Sequence, residues 1–298
     1  MRTPLPYLIK RNVKLFFQDK GMFFTSLITP VILLVLYATF LGKVYRDSFV
    51  ANLPNPSMLS ERLLDGLVGG QLISSILAVS CVTVSFCSNF LMVQDKALGT
   101  RKDLCVSPVR SSVLAVGYAA STLISSLLIC LSATGLCLLY IGTVGWYLSI
   151  FDVLFLLLDV FLLVLFGTAL SSIINLFLST QGQISAVGTV ISSGYGFICG
   201  AYMPISSFGE GLQTVISFLP GTYGTSLLRN HAMRGALAEM EAEGISAEAM
   251  TALCDVLDCN LYFFDVQVGE GAMYAILLST IAVLIAAYIL LHRLRRHA

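Results

Sequence analysis

The residues that could support chemistry in this sequence are few and widely spaced. Asp159 is the one ionisable residue well inside a long apolar run. A charge at that depth is costly unless it serves a polar cavity, a substrate or a bond to another helix. The alternative is a neutral Asp159 that is hydrogen-bonded to a neighbouring Ser or Thr. Tyr195 and Tyr202 could offer hydroxyl groups to a polar path, although such aromatics more often pack against other helices.

The spacing of the other reactive residues argues against catalysis and metal binding. The only Gly-Lys pair, Gly42-Lys43, is followed by a valine, so the phosphate-binding pattern G-x-x-x-x-G-K-[ST] fails. His231, His292 and His297 lie far apart, and none has metal-ligand spacing to another His, Cys or carboxylate. No G-x-S-x-G elbow occurs. The sequence therefore predicts no enzymatic activity, no metal site and no cofactor on this chain.

The composition is that of a membrane protein with many spans. The 298 residues are 57% hydrophobic and only 11% charged, whereas soluble domains carry about a quarter charged residues. The formal net charge is zero, so no general attraction to nucleic acid is implied. The expected partner of most of the surface is the lipid bilayer.

Six apolar segments each reach roughly the 20 residues that a bilayer requires. They predict one all-α transmembrane domain over residues 1–298, with spans at about 22–42, 67–93, 113–141, 151–177, 184–202 and 273–291. Residues 203–271 lie between the last two spans and contain apolar stretches that are too short to cross. We expect short re-entrant or interfacial helices there, on the outer side.

Charge distribution predicts the orientation. Residues 1–20 have apolar side chains at helical spacing and basic residues on the other side, which predicts an amphipathic helix in the membrane interface. Lys and Arg are concentrated near both termini and in residues 94–112, while acidic residues are concentrated in 203–271. By the positive-inside rule, both termini and residues 94–112 face the cytoplasm of a multi-pass plasma-membrane protein.

Residues 94–112 form a short charged island between two apolar runs. Thr100 is a predicted N-cap, Asp103 follows at the capping-box position, and Pro108 ends the helix. A stiff helix joined to two membrane helices could transmit force to a soluble partner. The alternative is a plain solvated loop.

Small residues recur every four positions along the fifth predicted span, at Gly188, Ser192, Gly196 and Gly200. Such a stripe lets membrane helices approach closely. The sequence leaves open whether this packing face meets the same chain or a second one.

Cys254 and Cys259 are the two cysteines that share a polar segment. On the predicted outer side a disulfide would persist. Five residues apart in a continuous helix, the two side chains point in different directions and cannot be bridged. A disulfide therefore requires the helix to end near Leu257.

Two motifs make the sequence similar to the membrane subunits of type-2 ABC exporters, which include bacterial drug, polysaccharide and teichoic-acid export permeases. The loop DKALGTRKDLCVSPVRSS resembles one family motif at Asp95, Gly99, Thr100, Leu104 and Pro108, although the family commonly has Glu where Asp95 stands. The segment GAYMPISSFGEGLQTVISFLPGTYGTSLLRNHAMRG resembles a second motif at Gly200, Pro204, Pro220, Tyr223 and Arg229.

The resemblance implies an exporter permease that moves an amphipathic drug, lipid or lipid-linked glycan. It implies a separate ATP-binding subunit, which would hold ATP and magnesium and dock on residues 94–112. There Leu104 is the expected anchor and Arg101 is expected to steer docking. The resemblance also implies a second permease subunit, identical or different. The main alternative is an ion-coupled secondary transporter that uses Asp159, and a membrane-embedded enzyme is a third class.

Overall fold

The computed structural model of the protein describes residues 4–52, 60–106, 109–264 and 266–294. These residues form twelve α-helices: α1 (Leu5–Gln18), α2 (Lys20–Leu36), α3 (Gly42–Asn52), α4 (Glu61–Ala97), α5 (Thr100–Val106), α6 (Ser111–Val144), α7 (Ile150–Phe177), α8 (Gln181–Ile198), α9 (Glu210–Ser217), α10 (Pro220–Ala242), α11 (Ala247–Val256) and α12 (Glu270–Leu294). A π-helical turn, Tyr37–Leu41, joins α2 to α3. The strands β1 (Leu261–Phe263) and β2 (Val266–Val268) form a small antiparallel hairpin before α12.

The prediction of a helical protein with several membrane spans is confirmed. Within the described residues, α4, α6, α7 and α12 are long and apolar enough to cross a bilayer. The pair α1 and α2, bent by 72°, would make a fifth span if it is counted as one. The predicted count of six stays a prediction, because neither α2 alone nor α8 reaches the length and hydropathy of the other four.

Helix α4 is the centre of the bundle. Its polar side chains are not gathered on one face, and almost every residue from Leu63 to Val93 is buried. A helix without a polar face has to be enclosed by other helices. It is covered by α2, α6, α7, α8 and α10. Whatever displaces α4 therefore acts on most of the domain.

The boundaries of α7 and α8 follow from local hydrogen bonds. Ser149 and Asp152 form a reciprocal capping box at the start of α7, and Thr180 and Gln183 form another at the start of α8. The ammonium group of Lys96 donates to the carbonyl oxygens of residues 175, 176 and 178, at 2.6, 3.0 and 3.0 Å. A cation at the last carbonyls of α7 satisfies acceptors that have no partner within the helix.

Helix α10 departs most from the expectation of short interfacial helices. It has 23 residues and packs between α4, α7 and α12. Glycines allow the close contacts: a Cβ atom on Gly70 of α4 would lie 2.8 Å from the carbonyl oxygen of Ala232, and one on Gly235 would clash with the backbone carbonyl of Tyr147. Polar side chains of α10 form hydrogen bonds and ion pairs inside the bundle.

Candidate functional site

The predicted coupling helix is the short α5, which follows the end of α4. The chain turns at Gly99, whose φ of +82° lies in the left-handed region that favours glycine. The N–H of Lys102 then donates to the carbonyl oxygen of Gly99 at 2.8 Å. The helix begins at Thr100, so Gly99 rather than Thr100 occupies the N-cap position. Pro108, the predicted end of the helix, lies outside the described residues.

The surface of the α4–α5 turn is both apolar and charged. Leu98 is 75% exposed and Val106 is 88% exposed. Lys102 and Asp103 are also exposed, whereas Arg101 and Leu104 are partly buried. Leu104 therefore packs partly against the bundle and partly faces outward. The most exposed apolar side chains are Leu98, before α5, and Val106, at its end.

Asp95 lies beneath this surface and not on it. Its carboxylate accepts two hydrogen bonds from the guanidinium of Arg11 in α1, at 2.7 and 3.1 Å. It also accepts a hydrogen bond from the hydroxyl of Tyr118 in α6, at 2.5 Å. A bidentate Arg–carboxylate pair fixes both distance and orientation. Asp95 is therefore placed to hold the end of α4 against α1 and α6.

The amphipathic N-terminal helix α1 packs on α6 through its apolar side. Leu8, Asn12 and Phe16 are its buried residues. Leu8 fills the space above Gly117, where any side chain would collide with it. This contact and the Arg11–Asp95 pair attach α1 to the bundle at two points, one turn apart along the helix.

Asp159 is buried, with no exposed surface, and joins three helices. His231 Nδ1 in α10 lies 2.5 Å from one carboxylate oxygen of Asp159, and the hydroxyl of Tyr274 in α12 donates to the other at 2.6 Å. Phe155 stacks on the ring of His231 with centroids 5.0 Å apart. A polar group with both oxygens bonded can remain inside an apolar bundle.

A chain of charged residues continues from Asp159 toward the start of α7 and α12. Glu270 lies 3.9 Å from Nε2 of His231 and accepts two hydrogen bonds from Arg234, at 2.8 and 2.9 Å. Arg234 also lies 3.6 Å from Asp152. Asp159 could be singled out from the sequence but His231 could not, because nothing in a mixed segment indicates which helix a histidine will face.

The second family-like motif converges on Arg229, which is 1% exposed. Its guanidinium donates to a carboxylate oxygen of Asp258 at 2.9 Å and to the carbonyl oxygen of Gly200. Gly200 has a φ of +73°, which a glycine tolerates best. Asp258 also accepts from the backbone N–H of Ile205, at 2.9 Å. Gly200 and Arg229 were predicted from the motif, whereas Asp258, their acidic partner, was not.

The other residues of that motif shape the turn before α10. Pro204 precedes a short 3₁₀ turn at Ile205–Ser207, and Pro220 is the first residue of α10. The hydroxyl of Tyr223 donates to the carbonyl oxygen of Ser217 at 2.6 Å and so closes the junction of α9 and α10. The motif therefore describes a folded connection rather than a set of reactive groups.

The small-residue stripe of α8 packs within the same chain. Gly188 lies against the ring of Phe90, and Gly196 lies beneath the ring of Tyr202. The hydroxyl of Tyr202 donates to the carbonyl oxygen of Ser192, at 3.3 Å.

Tyr195, the other tyrosine singled out in the sequence, is also enclosed. It packs over Gly221. Its hydroxyl has no hydrogen-bond partner among the described residues.

Cys254 and Cys259 lie at the end of α11, and both are free thiols. The neighbouring thiol of Cys259 lowers the pKa of Cys254, while the thiol of Cys254 and burial raise the pKa of Cys259. In the described part of the chain, no group of three or more His, Cys, Asp and Glu residues could hold a metal ion.

Together these features define a helical membrane protein in which a buried central helix ends in an exposed, mixed apolar and charged turn. Residues 4–232 match the ABC-2 type transporter family. The match covers well over half of the chain, so the protein belongs to that family, and the resemblance inferred from its motifs is confirmed. It is an ABC transporter permease, a membrane transport component. A search of curated proteins found no match.

Proposed function

We propose that this chain is the membrane-spanning subunit of an ABC exporter, driven by ATP hydrolysis on a separate ATP-binding subunit. The cargo is an amphipathic drug, lipid or lipid-linked glycan. The α4–α5 turn carries the proposal, because it presents exposed apolar and charged side chains at the end of the most buried helix. A solvated loop with no partner would gain nothing from the exposed Leu98 and Val106.

The supports around α5 suit a mechanical role. Asp95 fastens the end of α4 to α1 and α6, and Lys96 fastens it to the last carbonyls of α7. Force applied to α5 would therefore reach three neighbouring helices and not α4 alone. In this proposal, α5 and both termini face the cytoplasm, as the distribution of basic residues predicts.

A second permease subunit would complete the pathway. The side of α8 that does not pack on its own chain exposes hydroxyl residues at Ser185, Thr189 and Ser193. The hydroxyls of Thr189 and Ser193 donate to the carbonyls four residues earlier, at 2.9 and 2.6 Å, which leaves their oxygens as free acceptors. A row of acceptors on a membrane helix favours a wet path or another helix over lipid.

The ion-coupled alternative gains no support from the site. The family match is to an ABC permease, and both oxygens of Asp159 are already held by neighbouring side chains. We assign Asp159 to the connection between α7, α10 and α12.

The experiment is co-purification of the permease with its ATP-binding subunit, together with transport in reconstituted vesicles. Val106→Asp should weaken the complex about 10- to 150-fold, because a buried aliphatic side chain contributes about 1.5–3 kcal/mol. Leu104→Asp should abolish coupling, while Arg101→Ala should have a mild effect. The matched control is Val266→Asp, which changes another exposed valine, in the β-hairpin.

Retention of both the complex and transport in Val106→Asp and Leu104→Asp would contradict the assignment of α5 as the coupling helix. Orientation has its own test: single cysteines at Ser112 and Ser206 should react with an impermeant thiol reagent from opposite sides of the membrane.

A further inference from the structure

We propose that Cys254 and Cys259 are a redox pair whose disulfide fixes the turn that presents Asp258 to Arg229. The proposal rests on the proposed orientation, in which this segment faces the oxidising side of the membrane. It assigns a modification site and a structural consequence to two thiols that have no part in the coupling mechanism.

The end of α11 brings the two thiols together. The helix ends at Val256, and Asp258 follows in the left-handed region with a φ of +51°. The N–H of Cys259 donates to the carbonyl oxygen of Cys254 at 2.9 Å, and the N–H of Asp258 donates to that of Asp255 at 3.2 Å. These are the two hydrogen bonds of a Schellman motif, in which the third-last helical residue and the third residue after the helix commonly touch.

Cysteines occupy both of those positions. The requirement set by the sequence, a helix that ends near Leu257, is therefore met. Cys254 is partly exposed and Cys259 is buried, so an oxidant would reach Cys254 first. The neighbouring Cys259 thiol lowers the pKa of Cys254, which favours the reactive thiolate at that position.

The same turn is clamped onto α10 at three points. Arg229 holds the carboxylate of Asp258 at 2.9 Å. Ser226 and Asn230 donate to the carbonyl oxygen of Cys259, at 2.9 and 2.8 Å. The geometry of residues 254–259 therefore determines whether Arg229 keeps its buried negative partner. A disulfide between Cys254 and Cys259 would limit the local opening of this turn.

The reaction is a thiol–disulfide exchange with a disulfide donor, such as an extracytoplasmic oxidoreductase or oxidised glutathione. The thiolate of Cys254 attacks one sulfur of the donor and releases the other as a thiolate. Cys259 then loses its proton and attacks the Cys254 sulfur of the mixed disulfide, which releases the second donor sulfur. Two cysteine thiols lose two electrons, the donor disulfide gains them, and the two protons pass to the donor thiolates.

The test uses the full chain in lipid nanodiscs, after reduction with dithiothreitol and after treatment with oxidised glutathione. Differential alkylation and peptide mass analysis of residues 254–259 report the bridge as a loss of two hydrogen atoms and of two alkylation sites. Hydrogen exchange at the amide of Ile205, which donates to Asp258, reports how often this turn opens. We expect bridge formation and roughly tenfold slower exchange at Ile205 in the oxidised protein.

Cys254→Ser is the variant that cannot bridge, and it changes the more exposed of the two residues. Its Ile205 exchange should be the same with and without oxidant. Cys137→Ser, in α6, is the matched control and should behave like the unmodified chain. If both thiols can still be alkylated after oxidation, the disulfide proposal is wrong. If the disulfide forms but hydrogen exchange at Ile205 does not slow, the disulfide does not stabilise the Arg229–Asp258 contact. Neither readout involves ATP or transport, so failure here is distinct from failure of the exporter assignment.

Discussion

Removal of the negative charge opposite Arg229 should strongly destabilise the protein. Asp258→Asn keeps an oxygen for the N–H of Ile205, and Asn tolerates the left-handed backbone at this position. The guanidinium would remain buried, with the carbonyl oxygen of Gly200 as its acceptor but no anion. Loss of one partner from a buried ion pair costs about 3–5 kcal/mol. We expect a value near 3 kcal/mol, since the Asn oxygen still accepts a hydrogen bond.

Arg229→Met and the double variant complete a mutant cycle. The double variant contains neither charge, so its free energy of unfolding should exceed the value expected from adding the two single losses by about 2 kcal/mol. The assay is denaturant unfolding in detergent. Arg234→Met is the matched control, because the Arg234–Glu270 pair is half-exposed and such pairs contribute about 0–1 kcal/mol.

The pH dependence of Arg229→Met supplies an independent check. Burial raises the pKa of Asp258, and loss of Arg229 should raise that pKa further. A carboxyl group with a raised pKa in the folded state binds its proton more readily there than in the unfolded chain. Stability of this variant should therefore increase as the pH falls from neutral toward the ordinary aspartate pKa of about 3.9. If the cycle shows no coupling energy and Asp258→Asn loses no more stability than Arg234→Met, the buried ion pair does not stabilise this turn.

Three further outcomes are expected. Asp159→Asn should keep expression and lose little stability, whereas Asp159→Leu should cost a further 1–3 kcal/mol or so in denaturant unfolding, because a buried donor loses its acceptor. Gly117→Val should detach the N-terminal helix, measured as faster proteolysis after residue 18, and Leu8→Ala should partly restore protection. The pH midpoint for alkylation of Cys254 should lie below the ordinary thiol value of about 8.5 and should rise toward it in Cys259→Ala.

Hydropathy alone was enough to predict the long helices of the bundle. The apolar run at 151–177 became α7, Ile150–Phe177, because no partner is needed to decide that such a run is a helix in a membrane. The predicted N-cap of α5, Thr100, was one residue late, because Gly99 before it has the left-handed backbone that turns the chain into the helix. Features set by a residue's own type or by its immediate neighbours were open to prediction.

Helix α10 could not be predicted in the same way. Arg229 and His231 lie in the segment that was predicted to form short re-entrant or interfacial helices, yet both are buried inside the bundle. Their burial depends on Asp258 and Asp159, which lie 29 and 72 residues away in sequence. The spacing of residues within one segment cannot predict pairs with residues this far away in sequence. Asp258 was missed for a further reason, because its left-handed backbone at the end of α11 is uncommon for a residue other than glycine.

The two motifs that resemble the ABC-2 family meet helix α4 at different places along its length. One end of α4 continues through Gly99 into α5, and near the other end Gly70 allows α4 to touch the backbone of Ala232 in α10. Arg229, three residues before Ala232, ties α10 to Asp258. Close-packed helices move as units because their contacts have little free space to absorb a shift. In the proposed mechanism, a displacement of α5 by the ATP-binding subunit would therefore reach the Arg229–Asp258 pair through α4 and α10.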